Sequence, residues 1–420
     1  MKILFIHQNF PGQFKFLAPE LIARGHDVSA TIINPEAPEI WRGVRLVKYQ
    51  VERGNSSELH PWLKDFESKT IRGEACFKAC LVLKSQGFVP DVVIAHPGWG
   101  ESLFVKEVWP QAKLGIYCEF FYQPQGADTG FDPEFKNPDQ GDACRVMLKN
   151  INNLLHAKVA DAGISPTHWQ ASTYPADLKN KITVIHDGID TQEVGAAEAV
   201  LKIRAQGQDI QITRNDKVVT YVSRSLEPYR GFHSFMRAIP KMLEAEPQLR
   251  VIIVGAEGVS YGAQPDPEKY GKSSWKNIFV EELKNNVSKE LVDRIIFLGK
   301  VSYTDYLAIL RISSVHVYLT YPFVLSWSLL EAMSVGCCVV ASDTAPLKEV
   351  IDNDKTGCLV DFFDYSAIGS KVIELLNNPE KRAKLSKNAR KFVVENYDLK
   401  TVCLPKQIQW VESLASSSVN

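Results

Sequence analysis

The chain has no run of the roughly 18 apolar residues that a spanning helix needs, and no Cys-x-x-Cys pair among its eight cysteines. It also lacks an excess of either charge: 48 Lys and Arg against 49 Asp and Glu leave a net charge of −1. That balance removes the global signature of a nucleic-acid binder. The cysteines (Cys76, Cys80, Cys118, Cys144, Cys337, Cys338, Cys358, Cys403) are scattered, mostly through apolar segments. They are read as buried thiols in a reducing cytoplasm, not as a disulfide framework. Cys76 and Cys80 share a helix face, but two ligands do not make a metal site. Met1–Phe10 is too short an apolar run for a signal peptide. The loop after the first strand holds one glycine, Gly12, where a dinucleotide fingerprint needs three, which argues against a hydride-transfer Rossmann protein.

What is present is an alternation of short β-rich apolar runs with longer helical patterns, the mark of α/β layering. Strands are expected near Ile3–His7, Val28–Ile33, Val44–Tyr49, Val92–Ala95, Leu114–Cys118, Ala162–Ser165 and Thr183–Ile185. The pattern restarts at Val218–Val222, Arg250–Val254, Ile295–Leu298, Val315–Leu319, Cys337–Ala341 and Cys358–Val360. Two Rossmann-like domains follow, residues 1–195 and 205–395, with a C-terminal helix at 396–420 packing back on the first. Thr191–Asp216, rich in Ala, Gln and charge, is assigned as the linker between them. Two doubly wound halves make the cleft between them the default ligand site.

Four segments carry chemistry. Gly12, at a helix start, either lets backbone approach an anion or sugar or simply makes a turn. His96 ends a buried strand and precedes Pro97-Gly98; it either faces the crevice, where it can hydrogen-bond or polarise a hydroxyl, or is structural. Arg224 and Arg230 lie on one strand-to-helix loop, where two guanidiniums can converge on a diphosphate and stabilise it as it leaves. Glu331 lies where an apolar helix begins, before Gly336 and a buried strand. A carboxylate there repels phosphate and suits the two hydroxyls of a ribose, or it complements the helix dipole.

Together these segments resemble the retaining glycosyltransferases of family 4, over nearly the whole chain and most densely between Val218 and Asp361. The resemblance implies the α/β GT-B fold, two facing Rossmann-like β/α/β domains with a deep interdomain cleft. Val184-Ile185-His186-Asp187-Gly188-Ile189-Asp190 is similar to the family's domain-boundary motif. Arg224 and the pair Arg230-Gly231 match residues that grip the donor diphosphate. Glu331 matches the second Glu of an E-x7-E motif that holds the ribose. His96 matches a histidine near the transferred sugar, and Gly12 the glycine loop under the donor. The departures are specific. Phe323 stands where the first Glu of E-x7-E belongs, Ser326 replaces a glycine with Trp327 after it, and Ala345-Pro346 replaces Gly-Gly ahead of Glu349.

The resulting expectation is a hexosyltransferase that moves a sugar from a nucleotide-diphosphate donor to an acceptor hydroxyl, with retention. His96, Arg224 and Arg230 carry the chemistry. Gly12, Arg224, Arg230, Ser326, Trp327, Ser328 and Glu331 hold the donor. Helix N–H groups near Ser326–Ser328 add charge stabilisation, so no cofactor and no Mg²⁺ or Mn²⁺ is expected. Asp352-Asn353-Asp354 reads as a turn, not a metal site. The loop Tyr122–Gly141, polar, acidic and aromatic, suits a saccharide or glycoconjugate acceptor. Lys64, Lys69, Arg72, Lys78 and Lys84 offer weak contact with the inner face of a membrane, although Asp65, Glu67 and Glu74 interrupt them. Two rival readings are a nucleotide-sugar epimerase of the same architecture and a non-catalytic nucleotide-sugar-binding subunit, the latter because of Phe323.

Overall fold

A computed structural model of the chain describes residues 1–136, 139, 141–205 and 207–416. It divides into two compact units. The first comprises Met1–Gly130, Lys136–Gly188 and Leu399–Asn420, the second Phe131–Phe135 and Ile189–Asp398.

The first unit is built on eight strands: β1 (Lys2–Ile6), β2 (Asp27–Ile32), β3 (Ile40–Trp41), β4 (Val44–Lys48), β5 (Val92–Ala95), β6 (Lys113–Tyr117), β7 (Ala162–Ser165) and β8 (Ile182–Val184). Their spatial order is β3-β4-β2-β1-β5-β6-β7-β8. All pairs are parallel except the short antiparallel edge of β3 against β4. Period-2 alternation sends Ile3 and Phe5 to one face, against Phe14, Leu17, Leu21, Ile408, Trp410 and Val411. Leu4 and Ile6 go to the other, against Cys76, Cys80, Leu83 and Val105. Both faces are covered, as parallel sheets require. The helix Leu404–Ser416 thus forms part of this unit's core. Among the eight cysteines, all free, only Cys144 is exposed.

In the second unit β9 (Val200–Ala205) and β10 (Gln208–Thr213) form a separate antiparallel hairpin. The main sheet uses β11 (Val218–Ser225), β12 (Arg250–Ala256), β13 (Ile295–Gly299), β14 (Val315–Tyr318), β15 (Val339–Ser342) and β16 (Cys358–Val360). It is wholly parallel, in the order β13-β12-β11-β14-β15-β16. Val219 and Tyr221 face Phe232, Phe235 and Ile239 on one side. The opposite side receives Leu329, Leu330 and Met333 against Tyr318, Val339 and Ala341.

The hairpin corrects the linker assignment. Thr191–Asp216 does not connect the units: the boundary falls between Gly188 and Ile189, and residues 189–195 belong to the second unit. Leu201 and Ile212 are buried, and Ile203 and Ile210 pack beside them on Ile252, Val254 and Ile309. Lys202, Arg204, Asp209 and Gln211 alternate outward. Half of a two-faced hairpin is polar, so its composition imitates a linker.

Four histidines in these cores are held neutral by burial. The pKa values of His7 and His186 are pushed down to about 3, and those of His156 and His316 to about 4. The unfolded chain regains values near 6.5, so below that pH it binds protons that the folded chain refuses. Their stabilisation is present above about pH 6.5 and lost as pH falls toward 3–4. Urea-unfolding midpoints should therefore decline between pH 7 and pH 5, before most carboxylates titrate; a midpoint that is flat or rising over that interval contradicts this account.

Candidate functional site

In open α/β sheets, ligands settle outside the carboxyl ends of the strands, where the strand order reverses. In the first unit this point lies between β1 and β5, whose last residues Ile6 and Ala95 are in register. The next residues on the two strands are His7 and His96, with ring centroids 5.4 Å apart. His7 Nδ1 accepts from the Asn9 N–H at 3.0 Å, so neutral His7 carries its proton on Nε2, 2.9 Å from Gln13 Oε1. His96 repeats the arrangement: Nδ1 accepts from the Gly98 N–H at 3.2 Å. Its Nε2–H is therefore a donor, 3.6 Å from a Glu119 carboxylate oxygen. His96 is only 2% exposed and stacks on Tyr117. It lines a cavity of about 50 Å³ with Glu119, Asn152 and Asn153.

Gly12 follows closely on His7. At φ +46°, a Cβ there would lie 2.4 Å from the His7 ring. Gly12 thus makes room for His7 at the strand end.

In the second unit the order reverses between β11 and β14. The turn after β11, Glu227–Gly231, carries Arg230, which is 6% exposed. Its guanidinium donates to Thr320 Oγ1 at 2.8 Å and to the Val324 carbonyl at 3.4 Å, both in the loop after β14. The Tyr261 ring lies 4.9 Å away. No carboxylate pairs with Arg230 among the described residues, so a permanent positive charge is buried without a counter-ion. The approach depends on Gly231, at φ +69°, where a Cβ would lie 2.4 Å from Leu319 Cβ. Arg224 is not brought into this cluster: it is exposed, and no partner holds it among the described residues.

The loop after β14 leads into the helix Trp327–Val335. Ser326 is its N-cap, accepting from the Ser328 N–H at 3.4 Å, and Ser326 Oγ lies 2.9 Å from Ser328 Oγ. Trp327 opens the helix 37% exposed. Glu331 does not start this helix; it lies in the second turn, which removes the dipole reading. Its two carboxylate oxygens accept from Tyr303 and Tyr306 at 2.8 and 2.7 Å. Burial and the adjacent Glu331 charge raise the pKa values of both phenols, so they remain donors. Each carboxylate oxygen keeps acceptor capacity for a further hydroxyl. Phe323, in place of the expected glutamate, is 6% exposed and sits edge-on to Tyr229 and Tyr261, 5.1 and 5.2 Å away.

Two expectations change. In the loop Tyr122–Gly141, Asp132 is buried against His233 and Tyr321, and Glu134 is held by Arg237. These carboxylates are internal ties, not a sugar platform; residues 137, 138 and 140 lie outside the described residues. The basic helix is no continuous cationic face: Lys69 is buried beside Asp65, Lys78 pairs with Glu74, and Lys84 donates to the Val108 carbonyl. Among the described residues no helix is long and apolar enough to cross a membrane. Asp352 and Asp354 lie in a turn, where they pair with Lys355 and Lys381.

Two residues escaped the sequence. Glu119 lies two residues past the end of β6, at the same end of the sheet as His96, which directly follows β5, and that position was the available signal. Glu227 is fully buried, and its carboxylate accepts the N–H groups of Ser260, Tyr261 and Gly262 at 2.9, 3.3 and 2.9 Å. It fixes the loop that sets Tyr261 beside Arg230.

Comparison with known proteins bears on both units. Residues 24–194 match the Glycosyl transferase family 4 group, and residues 203–392 match Glycosyl transferases group 1. The D-inositol 3-phosphate glycosyltransferase of Corynebacterium efficiens is 28% identical over 218 residues, 51% of this chain and 47% of that protein. The chain spans about half the length of the first curated relatives it matches. Sucrose-phosphate synthase from Thermosynechococcus elongatus superposes with a TM-score of 0.70 at 18% identity, over 99% of this chain and 100% of that one. The Anabaena protein Alr3699/HepE, crystallised with UDP and glucose, gives 0.64 at 16% identity, over 99% and 100%. At these identities the likeness shows the GT-B fold.

Glu227→Ala would leave three backbone donors of the 260–262 loop without their acceptor. The expected loss is about 3 kcal/mol, with faster amide hydrogen exchange at Ser260, Tyr261 and Gly262. Unchanged protection of those three amides would show that the carboxylate does not hold the loop.

Proposed function

Because the chain belongs to the group 1 glycosyl transferases, we propose that it transfers a hexose-type sugar from a nucleotide-diphosphate sugar to an acceptor hydroxyl, with retention at the anomeric carbon. The observation that carries this reading is Arg230, a buried guanidinium without a carboxylate partner at the switch point of a parallel sheet. An anionic diphosphate is the ligand that would balance it. Glu331, its oxygens aligned by Tyr303 and Tyr306, offers acceptors to ribose hydroxyls. The N-terminus of the helix Trp327–Val335 adds the positive end of its dipole toward an anion.

In the proposed reaction the bond between the anomeric carbon and the diphosphate oxygen breaks as the acceptor oxygen bonds to the same carbon. The acceptor's proton passes to the departing diphosphate, on the face where it leaves. Arg230 stabilises the charge that develops, and exposed Arg224 closes on the same diphosphate. His96, whose Nδ1 already accepts the Gly98 N–H, serves a sugar hydroxyl as a donor through Nε2–H. The pair of carboxylates about 5 Å apart that a retaining glycosidase requires is not invoked. We place the reaction in the cytoplasm, with a saccharide or glycoconjugate of the cell envelope as acceptor and no metal in the catalytic step.

A second reading, a nucleotide-sugar-binding subunit without turnover, is favoured only by Phe323, an apolar ring where the family carries a carboxylate.

The test is a panel of nucleotide sugars assayed for free diphosphate in excess EDTA, beginning with UDP-glucose. The expected result is slow hydrolysis of one donor that EDTA leaves intact. Arg230→Ala and Arg224→Ala should each cut that turnover roughly a hundredfold. Near-normal turnover in either variant removes that arginine from the mechanism, and tight nucleotide binding without hydrolysis of any donor supports the second reading.

A further inference from the structure

Five residues of the second unit come from a stretch of chain whose flanks, up to Gly130 and from Lys136 onward, belong to the first. This segment, Phe131–Phe135, is tied in along its length. The Phe131 ring lies 5.1, 5.3 and 5.2 Å from Tyr321, Phe362 and Phe363. The Phe135 ring lies 5.0 and 5.1 Å from His233 and Trp275. Glu134 takes two hydrogen bonds from Arg237, at 2.6 and 2.8 Å, and Arg237 also holds Glu282.

Asp132 lies between these contacts and is 3% exposed. One carboxylate oxygen accepts from the Tyr321 hydroxyl at 2.9 Å and lies 3.0 Å from His233 Nε2, whose ring is fully buried. The other accepts the Glu134 N–H at 2.9 Å. Burial works against the ionised form, but the interactions with His233, the Glu134 N–H and Tyr321 together hold Asp132 below the usual carboxylate range.

The two partners of Asp132 flank Arg230. Tyr321 follows Thr320, which receives the guanidinium; its N–H donates to the Tyr229 carbonyl at 3.1 Å, and its ring lies 4.9 Å from that of Tyr229. His233 follows Gly231 by two residues, in the first turn of the helix Phe232–Ala245. A single buried carboxylate therefore fastens the loop that accepts Arg230 to the helix that Arg230 precedes.

We infer that Asp132 is a positioning residue for the donor diphosphate: through Tyr321 and His233 it fixes the geometry in which Arg230 meets a nucleoside diphosphate. A guanidinium must be held to within about half an ångström to give bidentate contacts, which requires neighbours that are themselves locked. The Glu134 side chain, by contrast, ties down the far end of the segment, and among the described residues it makes no hydrogen bond to Thr320, Tyr321 or His233. The inference rests on the reading of Arg230 as the diphosphate ligand.

The experiment is calorimetric titration of UDP, GDP and ADP into the full chain. It compares wild type with Tyr321→Phe, Asp132→Asn, their double variant, Glu134→Gln and Arg230→Ala, with a thermal melt of each. With the nucleotide that binds wild type, Tyr321→Phe and Asp132→Asn should each weaken affinity roughly five- to twentyfold, and the double variant should be no weaker than the worse single one. Glu134→Gln should lower the melting temperature yet keep affinity within about twofold. Tyr321→Phe deletes one oxygen, so it decides the matter if Asp132→Asn folds poorly. Wild-type affinity in Tyr321→Phe, additive losses in the double variant, or an equal loss in Glu134→Gln overturns the inference. If Arg230→Ala loses the nucleotide while Tyr321→Phe and Asp132→Asn keep it, only this inference fails. If Arg230→Ala binds as wild type, or no nucleotide binds wild type, the diphosphate reading fails with it.

Discussion

A buried guanidinium that meets no carboxylate among the described residues organises the second unit. Arg230 reaches from the end of β11 to the loop after β14 and meets a hydroxyl, a carbonyl and an aromatic face, none of which cancels its charge. Leaving a charge so uncompensated is costly, and proteins tolerate it where a ligand supplies the opposite sign. The surrounding structure exists to hold it. Gly231 permits the close approach to Leu319, Glu227 gathers the loop bearing Tyr261, and Asp132 secures Tyr321. Three parts of the chain, far apart in sequence, thereby converge on one cation.

The first unit presents the opposite chemistry at its own switch point. Backbone N–H groups bind Nδ1 of both His7 and His96, which turns Nε2 into the donor. Burial, with His96 alongside, keeps His7 neutral across the physiological range. This end of the sheet offers hydrogen bonds and a carboxylate, Glu119, instead of net positive charge. It is suited to hydroxyls as the second unit is suited to a diphosphate.

Much of this was legible because parallel strands buried on both faces leave long apolar signals, and because the residue ending each strand is placed by topology. His96 and the turn that carries Arg230 and Gly231 were placed at the carboxyl ends of their strands that way. What was not legible depends on partners distant in sequence. Glu227 lies between Arg224 and Arg230 in sequence, but its partners are backbone N–H groups 33 to 35 residues on, which no side-chain pattern announces. Asp132 and Glu134 looked like a sugar platform because an acidic, aromatic loop has the same composition whether it faces solvent or a buried histidine. The hairpin of β9 and β10 was taken for a linker because its outward face is charged. Arg224 and Arg230 appeared equivalent by spacing, whereas burial separates them.

The most direct measurement is a crystal structure of the chain with the nucleoside diphosphate that it binds. Diphosphate oxygens should lie within hydrogen-bonding distance of the Arg230 guanidinium and ribose hydroxyls on the Glu331 carboxylate, with Tyr303 and Tyr306 still donating to it. A nucleotide bound elsewhere, with Arg230 still meeting only Thr320, Val324 and Tyr261, would contradict that role of Arg230.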